Sequence, residues 1–372
     1  MNRLQIRAGR ARGAFSDAER AAFQARLLAW YRANRRDLPW RRDRHPYRVW
    51  VAEIMLQQTR IAAVLPYYRR FLRRFPSVRA LARAPIEDVL TQWSGLGYYS
   101  RARCLHRAAA KILALHAGTF PRDREAALKL PGIGNYTAAA TLSIAYGVPL
   151  AALDGNVARV LARLRAIRGD LREPRRWRRL GSLAQHLLAP DAPGDWNQAL
   201  MELGETVCTP RAPSCRACPV AKWCRARANS LAGAIPAVRR KRATKRVSIA
   251  AAILRDPDGR TLLVRDPGAH DDVLFSRLWQ FPAIEARGDP MAQLAAHLRE
   301  RFGADEIAFR ALPPARHGVT YRNVTLLPFL ACVTKLPRVR GGRILPLARI
   351  AELPVSSATR KLATAALTIF KS

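Results

Sequence analysis

The chain has 372 residues, with 65 Lys and Arg against 27 Asp and Glu and a formal net charge of +38. Hydrophobic residues make up 49% and charged residues 25%, which excludes a disordered basic tail and provides core material for two or three domains. The cationic excess points to a polyanionic partner, nucleic acid or an acidic membrane surface, and an Arg-rich background accounts for part of it.

No stretch reaches the roughly 18 uninterrupted apolar residues of a membrane span. Residues 1–14 are Arg-rich but carry no apolar segment with a cleavage site, so a basic arm is expected rather than a secretory signal. Helical periodicity then covers 15–32, with Ser16 and Glu19 set as a capping box. A loop rich in Arg and Pro is expected at Leu38-Pro39-Trp40-Arg41. Further helices are expected at 47–58, 61–75, 80–84, 86–93, 100–116, 122–129, 136–146, 156–165, 174–188 and 195–207. Strands are hard to find before about residue 225, so an all-α lobe or pair of lobes is predicted for 15–225.

Residues 226–246 are basic and lack apolar period, which reads as a linker. From Val247 the pattern turns strand-like. A hairpin is expected across the turn Asp256-Pro257-Asp258-Gly259, and another strand at 324–333. Helices at 291–302 and 357–370 complete an α+β domain over 247–372.

Three features carry chemistry. Cys208, Cys215, Cys218 and Cys224 have the spacing C-x6-C-x2-C-x5-C. Four thiolates so close in sequence can wrap one centre, Zn²⁺ or [4Fe–4S], and spacing alone does not separate the two. Arg211, Arg216, Lys222 and Arg225 stand near them. Cys104 and Cys332 read as core residues. The second feature is Leu130-Pro131-Gly132-Ile133-Gly134, a tight turn between helices that offers amide groups to an anion. Asp154, next to Gly155, follows about 20 residues on and serves equally as a helix cap and as a functional carboxylate. The third is Glu53, a lone carboxylate in the apolar run Val51-Ala52-Glu53-Ile54-Met55-Leu56. Read alone, it is either an acid with a raised pKa or a glutamate on the one wet side of the helix.

The segments 130–139 and 153–157, followed by the four cysteines, resemble the endonuclease III/MutY superfamily of helix-hairpin-helix DNA glycosylases. Members with lyase activity place a Lys two residues after the second Gly. Here that position is Tyr136, which resembles the MutY-type adenine glycosylases and leaves no amine there for a Schiff base. Val51–Thr59 and Gly95-Leu96-Gly97-Tyr98-Tyr99-Ser100-Arg101 also resemble that family, as does Leu278-Trp279-Gln280-Phe281-Pro282.

The resemblance implies an all-α two-lobed helix-hairpin-helix glycosylase domain with an iron-sulfur cluster loop, followed by an α+β Nudix-like domain. It implies a [4Fe–4S] cluster on the four cysteines and duplex DNA with A·8-oxoguanine or A·G as partner. Glu53 would be the acid and Asp154 the ionised stabiliser or nucleophile, with Tyr136 and Asn156 in support. Arg36, Trp40, Arg41, Leu56 and Gln198 would surround the extruded adenine. Gln58, Thr59, Leu96, Tyr98, Gly132 and Gly134 would contact DNA. The family's Phe-Ser-His loop is replaced by Val319-Thr320-Tyr321, so Thr320 and Tyr321 are the candidates for contact with the lesion. Nudix hydrolysis is not expected, because the acidic helix is replaced by one with only Glu300. His45 and His317 are expected to be structural or phosphate-facing. A monomer in the cytoplasm, on the nucleoid in a bacterium, is expected, with no membrane contact. The rival readings are a thymine or uracil mismatch glycosylase of the same superfamily and a non-catalytic DNA-damage-binding iron-sulfur protein.

Overall fold

The structure, a computed structural model, describes residues 15–237, 243–265, 277–304, 307–319 and 322–369. The expected basic arm at 1–14, residues 238–242 of the expected linker, and Thr320 and Tyr321 lie outside the described residues. The chain forms two compact units, Met1–Ile54 with Lys111–Arg240 and Met55–Ala110 with Lys241–Ser372. The sequence segments are thus distributed over both.

In the first unit Ser16 caps the helix Asp17–Asn34. The Glu19 amide donates to Ser16 Oγ at 3.2 Å and the Ser16 amide to the Glu19 carboxylate at 2.8 Å, so both arms of the capping box form. Pro39–Arg42, expected as a loop, is a short helix. Pro39 at its first turn fixes φ where no amide donor is needed, and Trp40 is buried. The helix Pro193–Thr206 is the spine of the unit. It packs against Asp17–Asn34, Asn135–Tyr146 and Gly155–Leu164. Small residues make this approach possible. A Cβ on Gly194 would meet the Ser143 carbonyl oxygen at 2.7 Å, and one on Gly204 would meet Asn156 Cβ at 2.9 Å. Phe23 packs edge-on against Trp196 and Trp223, at 5.7 and 5.4 Å between centroids, and so joins the first helix to the cysteine segment.

The second unit contains the helices Ile61–Arg74, Val78–Arg83 and Ile86–Trp93 and a seven-stranded mixed sheet among the described residues. Its strands are β1 (Lys245–Arg255), β2 (Arg260–Val264), β3 (Ala283–Glu285), β4 (Arg310–Ala311), β5 (Ala315–Val319), β6 (Arg322–Cys332) and β7 (Gly342–Pro346). The order is β4-β6-β1-β2-β7, with β3 also on β1 and β5 on β6. β1 and β6 run parallel from Lys245↔Arg322 to Arg255↔Cys332. The period of two in β1 sorts its side chains between two cores. Ala251 and Ile253 face the helix Ser357–Ile369, packing with Leu362 and Ala366. Ala250, Ala252 and Leu254 face the helix Pro290–Phe302 through Leu294 and Leu298.

The expected hairpin forms, closed by Asp256 accepting from the Arg260 amide at 2.8 Å. β3, β4, β5 and β7 were not expected, because runs such as Ala-Arg-His-Gly-Val carry no apolar alternation. Cys332 corrects another expectation: it is exposed, because it is the last residue of β6 and falls beyond the covered stretch. No helix among the described residues is long and apolar enough to cross a membrane.

The helix spine gives a stability test. Gly194→Ala should lower stability by about 1–3 kcal/mol, because backbone atoms of Ser143 and Ile144 occupy the space. Gly134→Ala, with nothing within 4 Å of the added Cβ, should change the melting temperature far less. Equal shifts in thermal unfolding of the two variants would contradict this packing.

Candidate active site

Glu53 lies on the helix Pro46–Leu56 and is only 4% exposed. Val51, Ala52, Ile54 and Met55 around it are all buried, so the carboxyl follows its helix into the interior. Burial pushes its pKa up to about 7. The hydrogen bond from Tyr136 and the charge of Arg41 pull it down, while the charge of Asp154 pushes it further up. Tyr136 Oη donates to Glu53 Oε2 at 2.7 Å and also reaches Met201 Sδ at 3.5 Å. Burial holds the Tyr136 phenol well above its usual pKa, so it stays a donor. With Oε2 occupied by that donor, a proton on the carboxyl resides on Oε1.

Asp154 caps the helix Gly155–Leu164, its Oδ1 accepting from the Val157 amide at 2.7 Å. Burial raises its pKa, and the amides of Val157 and Asn156 pull it back by favouring the anion. The loop before it is pinned by the fully buried Asn197. Asn197 Oδ1 accepts from the Ala152 amide at 3.0 Å, and Nδ2 donates to Ser143 Oγ and the Leu150 carbonyl, each at 2.8 Å. Asn156 Oδ1 accepts from Arg159 at 2.9 Å, and the same guanidinium donates to the carbonyls of Cys208 and Gly204.

Glu202, on the helix spine, was missed in the sequence. Its side chain is 1% exposed and is held by two arginines. Arg36 donates through Nε and Nη2 to its two oxygens, each at 2.7 Å, and Arg41 Nη2 adds a third bond at 2.7 Å. Burial alone would raise its pKa, but these bonds overcome it and hold the carboxylate down at about 2. Arg36 also pairs with the exposed Glu205. A glutamate in a helix gives no sequence signal of such a clamp. Trp40 is buried nearby in sequence, and Gln198 is buried and donates to the Gly194 carbonyl at 3.2 Å.

The glycine turn takes the expected form. Gly132 has φ of +77°, which a side chain would strain, and Gly134 opens the helix Asn135–Tyr146 with no side chain capping its amides. Glu53, Asp154, Tyr136, Asn156, Arg36, Trp40, Arg41, Gln198, Gly132 and Gly134 therefore belong to the first unit, while Leu56, Gln58, Thr59, Leu96 and Tyr98 belong to the second.

Within the second unit Gln58 and Tyr98 are exposed and adopt φ of +57° and +49°, unusual for non-glycine residues. Leu96 is buried. Tyr99 differs from Tyr98: its hydroxyl accepts from the Gly95 amide at 3.1 Å and donates to the Val355 carbonyl at 3.0 Å, which also accepts from Ser94 Oγ at 2.5 Å.

Cys208, Cys215, Cys218 and Cys224 line one small cavity, together with Arg163. Burial and the neighbouring thiols push Cys218 up to about 11, and burial raises Cys224 too. The buried Arg163 donates to Cys208 Sγ at 3.3 Å and to the carbonyls of Thr209 and Pro210 at 2.7 and 2.9 Å. Four soft donors lining one cavity have the chemistry of a thiolate-bound centre. As the side chains stand, no group of three or more His, Cys, Asp or Glu among the described residues is set to hold a metal ion.

Residues 51–186 match the HhH-GPD superfamily base excision DNA repair protein family. A solved thermostable thymine-DNA glycosylase is 30% identical, with a TM-score of 0.52 over 56% of this chain and 97% of that chain. The chain belongs to the HhH-GPD superfamily. Endonuclease III, solved in a trapped covalent intermediate with DNA, shares the fold, with a TM-score of 0.50 at 22% identity over 59% of this chain and 100% of that chain. Among curated proteins, the adenine DNA glycosylase of Homo sapiens is 49% identical over 219 residues, 56% of this chain and 40% of that protein. That of Buchnera aphidicola (strain Sg) is 38% identical over 203 residues, 54% of this chain and 58% of that protein. The chain spans about half the length of the curated relatives it matches.

The raised pKa of Glu53 couples to stability with a definite sign. A folded pKa of about 7 against 4.5 unfolded means the folded state holds the extra proton between those values, so stability falls as pH rises through that window. Glu53→Gln, which keeps an oxygen for Tyr136, should therefore gain stability relative to the parent between pH 5 and pH 8, by up to about 3 kcal/mol. Thermal unfolding of both proteins across that range measures it. A constant difference would mean Glu53 is not held proton-bearing by the fold.

Proposed function

We propose that the chain is a monofunctional adenine DNA glycosylase acting on adenine opposite 8-oxoguanine or guanine in duplex DNA. The observation that carries this reading is the buried Glu53, proton-bearing near neutrality and hydrogen-bonded by Tyr136 rather than faced by a lysine. Adenine is a poor leaving group until N7 is protonated. Glu53 gives its proton to N7, the bond between N9 and C1′ breaks, and positive charge develops on the sugar. Asp154, ionised on its helix terminus, stabilises that charge directly or as a transient ester at C1′. Water then supplies hydroxide to C1′, and its remaining proton restores Glu53.

Arg36, Trp40, Arg41, Leu56 and Gln198 surround the extruded adenine in this reading, with Glu202 fixing the two arginines. Gly132 and Gly134 offer amides to a backbone phosphate. Gln58, Thr59, Leu96 and Tyr98 form the wedge that fills the vacated stack. Cys208, Cys215, Cys218 and Cys224 hold a [4Fe–4S] cluster, a fixed centre that folds the basic loop around it. The C-terminal α+β part is Nudix-like and reads the opposite base, with Thr320 and Tyr321 as its contacts. The chain acts as a monomer in the cytoplasm, on the nucleoid if the cell is bacterial. The 30% identity to a thymine-DNA glycosylase keeps a thymine mismatch substrate as the second reading.

Single-turnover excision across A·8-oxoguanine, A·G, T·G and U·G duplexes separates them: adenine release from the first two is expected, and thymine release would favour the second. Glu53→Gln should lose about 10²–10⁴-fold in rate with duplex affinity nearly unchanged. The parent's rate should fall about tenfold per pH unit above roughly 7, as the Glu53 proton is lost. Borohydride should trap almost no Schiff base. Purified protein should hold about four iron and four sulfide per chain, and zinc in their place would overturn the cluster assignment.

A further inference from the structure

The two turns assigned above to the wedge are tied together by one side chain. Arg101, on the helix Tyr99–Leu115, donates through Nη1 to the carbonyls of Met55, at 2.9 Å, and Gln57. Its Nη2 donates to Thr59 Oγ1 at 3.2 Å and to the Gly97 carbonyl at 3.3 Å. Its guanidinium carbon lies 5.2 Å from the centre of the Tyr98 ring and 5.5 Å from that of Trp93. One planar fork therefore contacts residues 55–59 and residues 93–98 together.

The bonds explain the backbone on either side. With the carbonyls of Met55, Gln57 and Gly97 turned toward Arg101, the chain between and beside them must reverse. Gln58 and Tyr98 both do so at positive φ with exposed side chains. Each left-handed residue carries strain that only a surrounding constraint maintains. Lysine could not replace this group. It is a point charge with three donors and no flat face, whereas four bonds and two ring contacts use the arginine fork and its plane together. Burying the cation has a cost, seen in a pKa pulled down to about 10, so the fold retains it against that penalty.

We propose that Arg101 is a positioning residue that joins the 57–59 and 95–98 turns into one preformed wedge, so that Gln58 and Tyr98 enter the base stack as a unit when the target nucleotide leaves it. The inference rests on the glycosylase reading above. Its consequence is selectivity. A preformed wedge lowers the ordering penalty of the extruded complex, which forms readily only at a weakened pair. It leaves backbone contacts to ordinary duplex alone, because the guanidinium is turned inward.

The test is Arg101→Lys, which keeps the charge and removes the fork. Without DNA, amide hydrogen exchange should quicken at both turns together, read at Thr59, Gly95 and Leu96, whose amides are bonded in the parent. With DNA, the ratio of Kd for a fully paired duplex to Kd for an A·8-oxoguanine duplex should fall about tenfold. The Kd for the paired duplex, and its slope against salt, should stay within about twofold. The fluorescence rise of 2-aminopurine beside the target adenine should shrink in parallel. Exchange that quickens at one turn only, or unchanged discrimination with quickened exchange, overturns the inference while wild-type adenine release still upholds the glycosylase reading. Equal weakening on both duplexes would mean a phosphate contact instead, and also overturns it. Wild-type protein that releases no adenine removes the reading beneath it. If the lysine variant does not fold, Thr59→Val removes one acceptor without changing shape. It should quicken exchange at Gly95 and Leu96, across the gap from the substitution, and unchanged exchange there overturns the coupling.

Discussion

The structure turns on one buried carboxyl whose proton is held up to near neutrality and a second buried carboxyl, reached by the same arginine, that is held ionised. Glu53 and Glu202 are both almost fully buried, yet burial moves Glu53 up to about 7 while Glu202 sits near 2. The main difference is in charged donors, with the charge of Asp154 adding to the rise at Glu53. Glu202 receives three charged donors from Arg36 and Arg41, and Glu53 receives one neutral donor from Tyr136. Arg41 is close enough to pull on Glu53, but its guanidinium is already bonded to Glu202. Glu202 therefore absorbs cationic charge that would otherwise strip the proton from Glu53. Two carboxyl groups of similar burial are set to opposite states by their partners, the separation that acid chemistry near neutrality needs.

The helix Pro193–Thr206 is what makes the arrangement possible. Glu202 is presented from it, Met201 touches the Tyr136 hydroxyl, and Asn197 pins the loop leading into Asp154. Its glycines at 194 and 204 let neighbouring backbones come within van der Waals contact. A shift of this helix would disturb Glu53 through Tyr136, Asp154 through Asn197 and the arginine pair through Glu202 in one movement. Such shared support is how a fold holds several groups to within a fraction of an ångström.

Much of this was legible in the sequence because it has a local signal. Ser16 with Glu19 announces a cap and Asp256–Gly259 a turn, while Glu53 in its apolar run leaves a buried acid and a wet-side glutamate equally open until the family resemblance is added. The helices came through their period, with 86–93 matching the observed Ile86–Trp93 to the residue. What stayed hidden depends on partners far along the chain. Glu202 looks like any helical glutamate until Arg36 and Arg41 arrive from more than 160 residues away. Arg101 stands inside a motif that was noticed, but its role needs the carbonyls of Met55 and Gln57. β5 and β7 exist because β6 and β2 offer them backbone partners, not because their own residues alternate. The exposure of Cys332 follows from where β6 ends, which composition does not encode.

The arginine excess itself takes on a different meaning. Several of these side chains face inward and work as staples for backbone carbonyls. Arg163 reaches Cys208, Thr209, Pro210 and Ile235, Arg159 reaches Cys208 and Gly204, and Arg101 reaches Met55, Gln57 and Gly97. Each satisfies carbonyls at helix ends and in irregular segments that would otherwise be left without donors. A guanidinium can do this because its donors point in fixed, divergent directions and its hydration is weak, whereas an ammonium gathers acceptors around a point. These cations add to the net charge of +38, but they are not turned outward to meet a phosphate. They raise the long-range potential that draws in a polyanion without contributing to the counterion release that sets its affinity. Counting arginines therefore overstates the grip on an anionic partner, and part of what looked like compositional background is the material that folds the irregular segments around the site.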